Sequence, residues 1–136
     1  MIPRRYLLAG ALLLPLPARA TPADVTQAMR DILAGTIPQP GRVKLELPLL
    51  VENGNSVSMT VTAPGEQVAS LYVFAQANPL PNVLHATFGP ASGEPRLATR
   101  IRLATSQTVI AMARLRDGSC WTDSVELLVT LAACVE

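Results

Sequence analysis

From residue 43 onward, apolar and polar residues alternate with a period of two, whereas an earlier stretch has helical spacing. In that stretch, apolar side chains recur three or four residues apart, at Val25, Met29, Ile32 and Leu33. This spacing predicts an amphipathic helix. Thr21 supplies an N-cap, Pro22 the first helical position and Asp24 an acid in the first turn, while Gly35 ends the pattern. We therefore assign residues 21–41 to an N-terminal helix and a proline-rich connector.

The alternating pattern predicts seven or eight short strands. They fall at residues 43–49, 57–63, 68–76, 83–88, 97–104, 109–115 and 121–131. Two turn signals, Asn53-Gly54 and Asp117-Gly118, lie between strands. Regular spacing of short strands, with no helices between them, is typical of an antiparallel β-sandwich. The prediction is an all-β, immunoglobulin-like sandwich over residues 42–131, with a short N-terminal helix and a flexible C-terminal arm at 132–136.

One part of this pattern leaves apolar residues on both faces of the sheet. Residues 71–74 are apolar throughout, and Ile110, Met112 and Leu128 are out of phase with the other apolar residues of their strands. An exposed patch of large apolar side chains usually marks an interaction surface. We therefore expect a second subunit to cover this face.

The first twenty residues have the pattern of an export signal. Arg4-Arg5 precede an apolar run of about twelve residues, and Ala18-Arg19-Ala20 supplies a cleavage site. The paired arginines favour twin-arginine export over an ordinary secretory leader. The run is too short to span a bilayer, which needs about 20 residues, and no cysteine follows that would accept a lipid anchor. We expect cleavage after Ala20 and a periplasmic location.

Charge and composition exclude several classes of function. The chain has 11 basic and 10 acidic residues among 136, and without the leader's three arginines its net charge is about −2. A weakly acidic chain with few aromatic residues lacks the surface that binds nucleic acid. One histidine, His85, does not suffice for a multi-histidine metal site. We expect neither enzyme activity nor a cofactor or metal.

His85 and the methionines have structural interpretations. His85 lies inside a predicted strand between apolar neighbours, so a structural role is favoured over a role in a hydrolase triad. Met59 and Met112 are in phase with strand positions, which favours core packing. A redox or copper protein that uses His85 with Cys134 is a more distant alternative.

The two cysteines differ in setting. Cys120 begins the last predicted strand beside Trp121 and is expected to be buried, while Cys134 lies beyond that strand. A strand rises about 3.3 Å per residue, so the two are roughly 40 Å apart along the chain. A disulfide needs Cα atoms within about 7 Å, so the spacing argues against an internal bridge. Cys134 is then an accessible thiol on an arm, a geometry that suits a tethered carrier.

On these residues the chain resembles SoxY, the sulfur-carrier subunit of the SoxYZ complex. The resemblance covers most of the chain, and its most specific parts are Leu97-Ala98-Thr99-Arg100-Ile101 and the terminal cysteine. It also includes Asn78-Pro79 and the strand before Asn53-Gly54. The resemblance implies a carrier that holds a sulfur compound as a covalent adduct on Cys134. It also implies a SoxZ-like β-sandwich partner in a heterodimer and periplasmic sulfur-metabolising enzymes as clients.

The arm departs from the glycine-rich arm of SoxY. It contains Ala132, Ala133, Val135 and Glu136 around Cys134, and resembles a SoxY-related branch with an Ala-Ala-Cys-Ile-Glu arm. Alanine has less conformational freedom than glycine, so we expect a stiffer arm. The Glu136 carboxylate and the chain terminus are expected to raise the pKa of the Cys134 thiol.

A second hypothesis has a different function class. The chain would be a non-catalytic, immunoglobulin-like binding or structural module whose Cys134 forms an intermolecular disulfide. Intact mass separates the two hypotheses, because a carrier has discrete sulfur adducts and such a module forms a stable disulfide dimer.

Overall fold

The computed structural model describes residues 22–63, 65 and 67–131. The predicted leader at 1–20 and the predicted arm at 132–136 lie outside these residues. No helix among the described residues is long and apolar enough to cross a membrane.

One helix and nine strands make up the described chain, and most of them lie where the sequence pattern predicts. They are α1 Pro22–Leu33, β1 Gln39–Pro40, β2 Lys44–Glu46, β3 Leu50–Val51, β4 Val57–Thr62, β5 Val68–Ala75, β6 Asn82–Thr87, β7 Arg96–Ile101, β8 Gln107–Leu115 and β9 Cys120–Val129. Asp117-Gly118 closes the predicted β8–β9 hairpin, and Gly118 adopts a positive φ of 91° there. The Asp117 carboxylate accepts bonds from the Ser119 hydroxyl and amide, which lower its pKa.

The strands form two sheets that face each other, which confirms the predicted β-sandwich. The large sheet has the order β1-β9-β8-β5-β6, with β3 also paired to β9, and the small sheet has the order β2-β4-β7. The main core lies between the two sheets. Met59 of β4 is buried in this core, which confirms the packing role that its strand phase predicts.

The helix α1 covers part of the outer face of the large sheet. Its apolar side, which includes Val25 and Leu33, forms a second core with Tyr72, Phe74 and Met112. The prediction that a second subunit covers these residues is wrong, since the chain's own helix buries them. Sequence phase shows that both faces of a strand are apolar, but it does not show which element covers the outer one.

The predicted strand at 43–49 is shorter in the structure, and the residues just after it form a separate strand in the other sheet. β2 pairs with β4 in the small sheet, and β3 pairs with β9 in the large one. Pro48 lies between them and lacks the amide that a continuous strand would use. The pairings of β1 and β3 with β9 are parallel, a feature that the antiparallel prediction did not include.

Two local features accompany the passage of the chain from β1 in the large sheet to β2 in the small sheet. Gly41, with a φ of 107°, turns the chain away from β9 just after β1, and few residues other than glycine adopt this region without strain. Between its pairings with β1 and β3, this edge of β9 has no partner among the described strands. There the Asp123 carboxylate accepts a 2.9 Å hydrogen bond from the Leu45 amide. This edge of β9 is therefore paired at both ends, with β1 at Trp121 and Thr122 and with β3 at Leu128 and Val129.

Candidate functional site

The site predicted from the sequence, Cys134 with Ala132, Ala133, Val135 and Glu136, lies outside the described residues. What the structure describes is the end of β9 that leads into it, up to Leu131. We call residues 129–131 the arm base.

Hydrogen bonds from β3 and the loop after it hold one side of the arm base. The Thr130 amide donates to the Val51 carbonyl at 2.9 Å, which continues the parallel β3–β9 pairing. The Thr130 hydroxyl contacts the carbonyls of Val51 and Glu52 at 3.3 and 3.1 Å. The Gly54 amide then donates to the Leu131 carbonyl at 2.8 Å. These contacts fix the backbone up to the last described residue.

Asn53-Gly54 therefore has a different role from the one its sequence suggests. The strands that flank it belong to different sheets and do not pair with each other, so no hairpin closes there. Gly54 instead links two segments, since its carbonyl accepts a 2.8 Å bond from the Leu103 amide while its amide holds Leu131. The turn signal predicts a change of direction, but not the partners of the turn.

The loop after β7 holds the other side of the arm base. The Val129 amide donates to the Ser106 hydroxyl at 2.8 Å. Two buried amide side chains fix this loop: Asn78 bonds the Arg102 carbonyl and the Ala104 amide, and Gln107 bonds Asn78. A satisfied buried network of this kind holds its loops rigidly. Sequence reasoning missed both residues as parts of the site.

An exposed apolar patch lies beside the arm base. Leu50 and Leu128 are directly paired across β3 and β9 and are 58% and 63% exposed. Leu49 is 69% exposed and Leu131 58%. We call Leu49, Leu50 and Leu128 the leucine patch, and Leu131 is its neighbour in the arm base. Of the residues proposed from the sequence to meet a partner, Leu128 is the one that the structure leaves in solvent, while Met112 is buried and Ile110 is half-buried under α1.

The cysteine that the structure describes is inaccessible. Cys120 is 1% exposed and lies in the core beneath α1. Burial raises the pKa of its thiol. A thiol that is buried and protonated is a poor nucleophile. This confirms the expectation that Cys120 is buried and leaves it unsuited to an exchange reaction.

His85 lies on β6, where its ring stacks on Tyr72 with centroids 4.3 Å apart. This contact agrees with the structural role predicted for it. Among the described residues, no group of three or more His, Cys, Asp or Glu side chains is arranged to hold a metal ion.

Comparisons with known proteins identify a family and a fold. The model of a family described as "Sulfur oxidation protein SoxY" matches residues 29–134. A solved structure of the sulfur carrier protein SoxY from Chlorobium limicola f thiosulfatophilum has a TM-score of 0.71 and 21% identity. The match covers 80% of this chain and 98% of that one. No curated protein matches the chain in sequence.

Superoxide reductases share the fold at lower similarity. One from Ignicoccus hospitalis has a TM-score of 0.53 at 20% identity and covers 81% of this chain and 94% of its own. A putative one from Thermotoga maritima has a TM-score of 0.55 at 21% identity, with coverage of 64% and 84%. Identities this low show a common sandwich architecture and no common activity.

Proposed function

The chain belongs to the SoxY family of sulfur oxidation proteins, and we propose that it holds its sulfur compound as a covalent adduct on Cys134. Membership of this family makes it a sulfur carrier protein. The proposal adds the attachment point, the absence of catalysis by the chain itself, and presentation of the adduct to partner enzymes.

One observation carries the choice of Cys134: β9 begins with a buried thiol and ends at a fixed, solvent-facing arm base three residues before the other thiol. Cys120 lies under α1, so an enzyme reaches it only if the helix moves. The family match extends to residue 134 and so includes the second cysteine. A carrier thiol must be accessible and able to ionise, and these conditions favour Cys134.

The hydrogen bonds of the arm base support a model in which a rigid attachment is followed by a short segment that carries the thiol. Hydrogen bonds fix the backbone through Leu131, so the reach of the thiol is set by the residues after it. Three residues extend at most about 10 Å. The adduct would therefore be presented at a defined rim of the sandwich. Ala132 and Ala133 restrict the backbone more than glycine would, which favours client enzymes with open entrances.

We also propose that the leucine patch receives a SoxZ-like β-sandwich subunit to form a heterodimer. Leu50 and Leu128 are exposed and paired next to the arm base, and the adjacent Leu49 is exposed as well. A partner on this surface would lie beside the adduct and contribute to the entrance that client enzymes recognise. The clients are proposed to be periplasmic sulfur-metabolising enzymes, with the residue 1–20 leader directing export. Amino-terminal sequencing of secreted protein tests the leader, with Thr21 as the expected first residue.

Intact-mass analysis of protein purified from sulfur-oxidising cells tests the carrier function. We expect discrete sulfur-containing mass increments that reductant removes. Cys134→Ser should abolish them, and Cys120→Ser, the matched control, should retain them. Increments that persist in Cys134→Ser would overturn the attachment point. A stable disulfide-linked dimer without increments would instead support a structural module.

A further inference from the structure

Two arginines line a groove close to the arm base. Arg100 and Arg102 flank Ile101 at the end of β7, and with Asn78, Leu80 and Asn82 they form part of the wall of a depression of about 340 Å³. We call this depression the arginine groove. Both arginine side chains are exposed.

The arginine groove has positive charge without a described counter-ion. None of its lining residues is acidic. Within the described part of the chain, the ion pair found joins Lys44 to Glu46 and does not involve either arginine. The Arg100 guanidinium donates to the Ser56 hydroxyl at 2.9 Å, which orients it without neutralising it. Two guanidinium groups in this arrangement attract a carboxylate.

A short chain of contacts connects the arginine groove to the arm base. The Leu131 carbonyl bonds Gly54, Gly54 bonds the Leu103 amide, and Leu103 directly follows Arg102. Each of the two hydrogen bonds is 2.8 Å long. A five-residue segment spans at most about 16–18 Å when extended. The segment 132–136 is therefore long enough to reach the groove.

The charges around the arm base are unequally distributed. Glu52 and Glu126 are exposed and lie on the side of β3 and β9, near the leucine patch. Arg100 and Arg102 lie on the side of β7. Segment 132–136 contains one ionisable side chain besides the thiol, the carboxylate of Glu136. Like charges on one side and opposite charges on the other direct that carboxylate toward β7.

We propose that segment 132–136 docks reversibly on its own sandwich, with the Glu136 carboxylate bound by Arg100 and Arg102 in the arginine groove. This interaction goes beyond the proposed carrier function and does not depend on a cargo. Exposed ion pairs are individually weak, but the tether gives the carboxylate an effective concentration on the order of millimolar. The docked state is thus a minor population that is readily released.

Paramagnetic broadening tests the docking directly. A nitroxide attached to Cys134 in ¹⁵N-labelled protein reports which amides the segment approaches, and the burial of Cys120 keeps the label at one site. At low salt we expect the amides of Asn82 and Arg102 to broaden more than those of Glu126 and Leu128. Because exposed charges are screened over about 4 Å at 0.5 M salt, the difference should largely disappear there.

Charge-removing variants assign the effect to the named residues. Arg100→Gln, Arg102→Gln and Glu136→Gln should each reduce the ratio of docked to free segment by about two- to fivefold, as expected for one exposed ion pair. Arg96→Gln is the matched control, because Arg96 is an exposed arginine at the opposite end of β7 and pairs with Thr62. It should leave the ratio unchanged.

Equal broadening on both sides of the arm base, or a pattern that Glu136→Gln does not alter, would overturn the docking. An effect of Arg96→Gln as large as that of Arg102→Gln would do the same, since general charge would then explain it. These measurements use the unloaded protein. Their failure is therefore distinct from failure of the carrier function, which intact mass decides.

Discussion

The outer face of the large sheet is covered by α1 over one half and exposed to solvent over the other. Over one half, α1 buries Tyr72, Phe74 and Met112. Over the other half, beside the arm base, Leu50 and Leu128 remain in solvent. The two halves share β8 and β9, so the strands themselves do not explain the difference. The helix α1 covers the apolar side chains of one half and leaves those next to the proposed carrier segment exposed, which supports the proposal that the leucine patch receives a partner.

The largest expected effect is a difference between the two halves in how much a substitution lowers the free energy of unfolding. Phe74→Ala should lower the free energy of unfolding by about 3–5 kcal/mol, because it leaves a cavity in the core under α1. Leu128→Ala, on the same face, should change it by less than about 0.5 kcal/mol. Chemical denaturation of both variants measures the difference. Equal losses would mean that the leucine patch is a structural part of the monomer.

The next effect is a difference between surface positions in how strongly a substitution weakens binding of a SoxZ-like subunit. Leu128→Asp should weaken binding of a SoxZ-like subunit by about 30- to 100-fold, since a charge placed in an apolar contact costs about 2–3 kcal/mol. Ile37→Asp is the matched control, because Ile37 is also exposed and apolar but precedes β1, which pairs with the start of β9. Calorimetric titration measures both affinities. Similar weakening by both substitutions would contradict a specific surface.

These contrasts also show how much the sequence predicts. The period of two locates β4, β5, β8 and β9 closely, because each has one face in the core and a turn at its end. The division between β2 and β3 is harder to predict from the sequence, since it depends on which sheet each segment pairs with. Covering of Tyr72 by α1 is likewise a long-range contact that periodicity does not encode.

The site is predicted unevenly for the same reason. A thiol beyond the last strand is visible in the sequence, and so is the apolar phase of Leu128. The roles of Asn78 and Gln107 are not, because a buried amide is recognised only by the backbone groups it satisfies. The family resemblance includes Asn78-Pro79, and this is the signal that the sequence offers for the role of Asn78.

A smaller effect concerns the buried thiol at the start of β9. Cys120→Ser should lower the free energy of unfolding by about 1 kcal/mol, because it places a hydroxyl in the core under α1. Thermal unfolding measures this loss, and Cys134→Ser should leave Tm unchanged. A stable Cys120→Ser variant together with a destabilised Cys134→Ser variant would reverse the assignment of the two cysteines.

The smallest effect is a dependence on pH. Burial raises the pKa of Cys120 in the folded protein above its ordinary value of 9.0. The unfolded state therefore binds fewer protons as pH passes that value, and stability that is fully present below it is lost as the pH rises. Denaturation between about pH 8 and pH 10.5 should show this decline. Cys120→Ala should flatten it, while Cys134→Ser should not.

The pairing of β9 with β8 on one side and β3 on the other has a mechanical consequence. A client enzyme that bound the residues after Leu131 and pulled along the axis of β9 would load the pairing of this strand with its neighbours. The hydrogen bonds from β9 to β8 run across that axis, so such a pull shears many of them together instead of opening them one at a time. The bonds from Val51 and Gly54 reinforce the point where the force enters. We therefore expect β9 to stay paired in its sheet when force is applied to the residues that follow it.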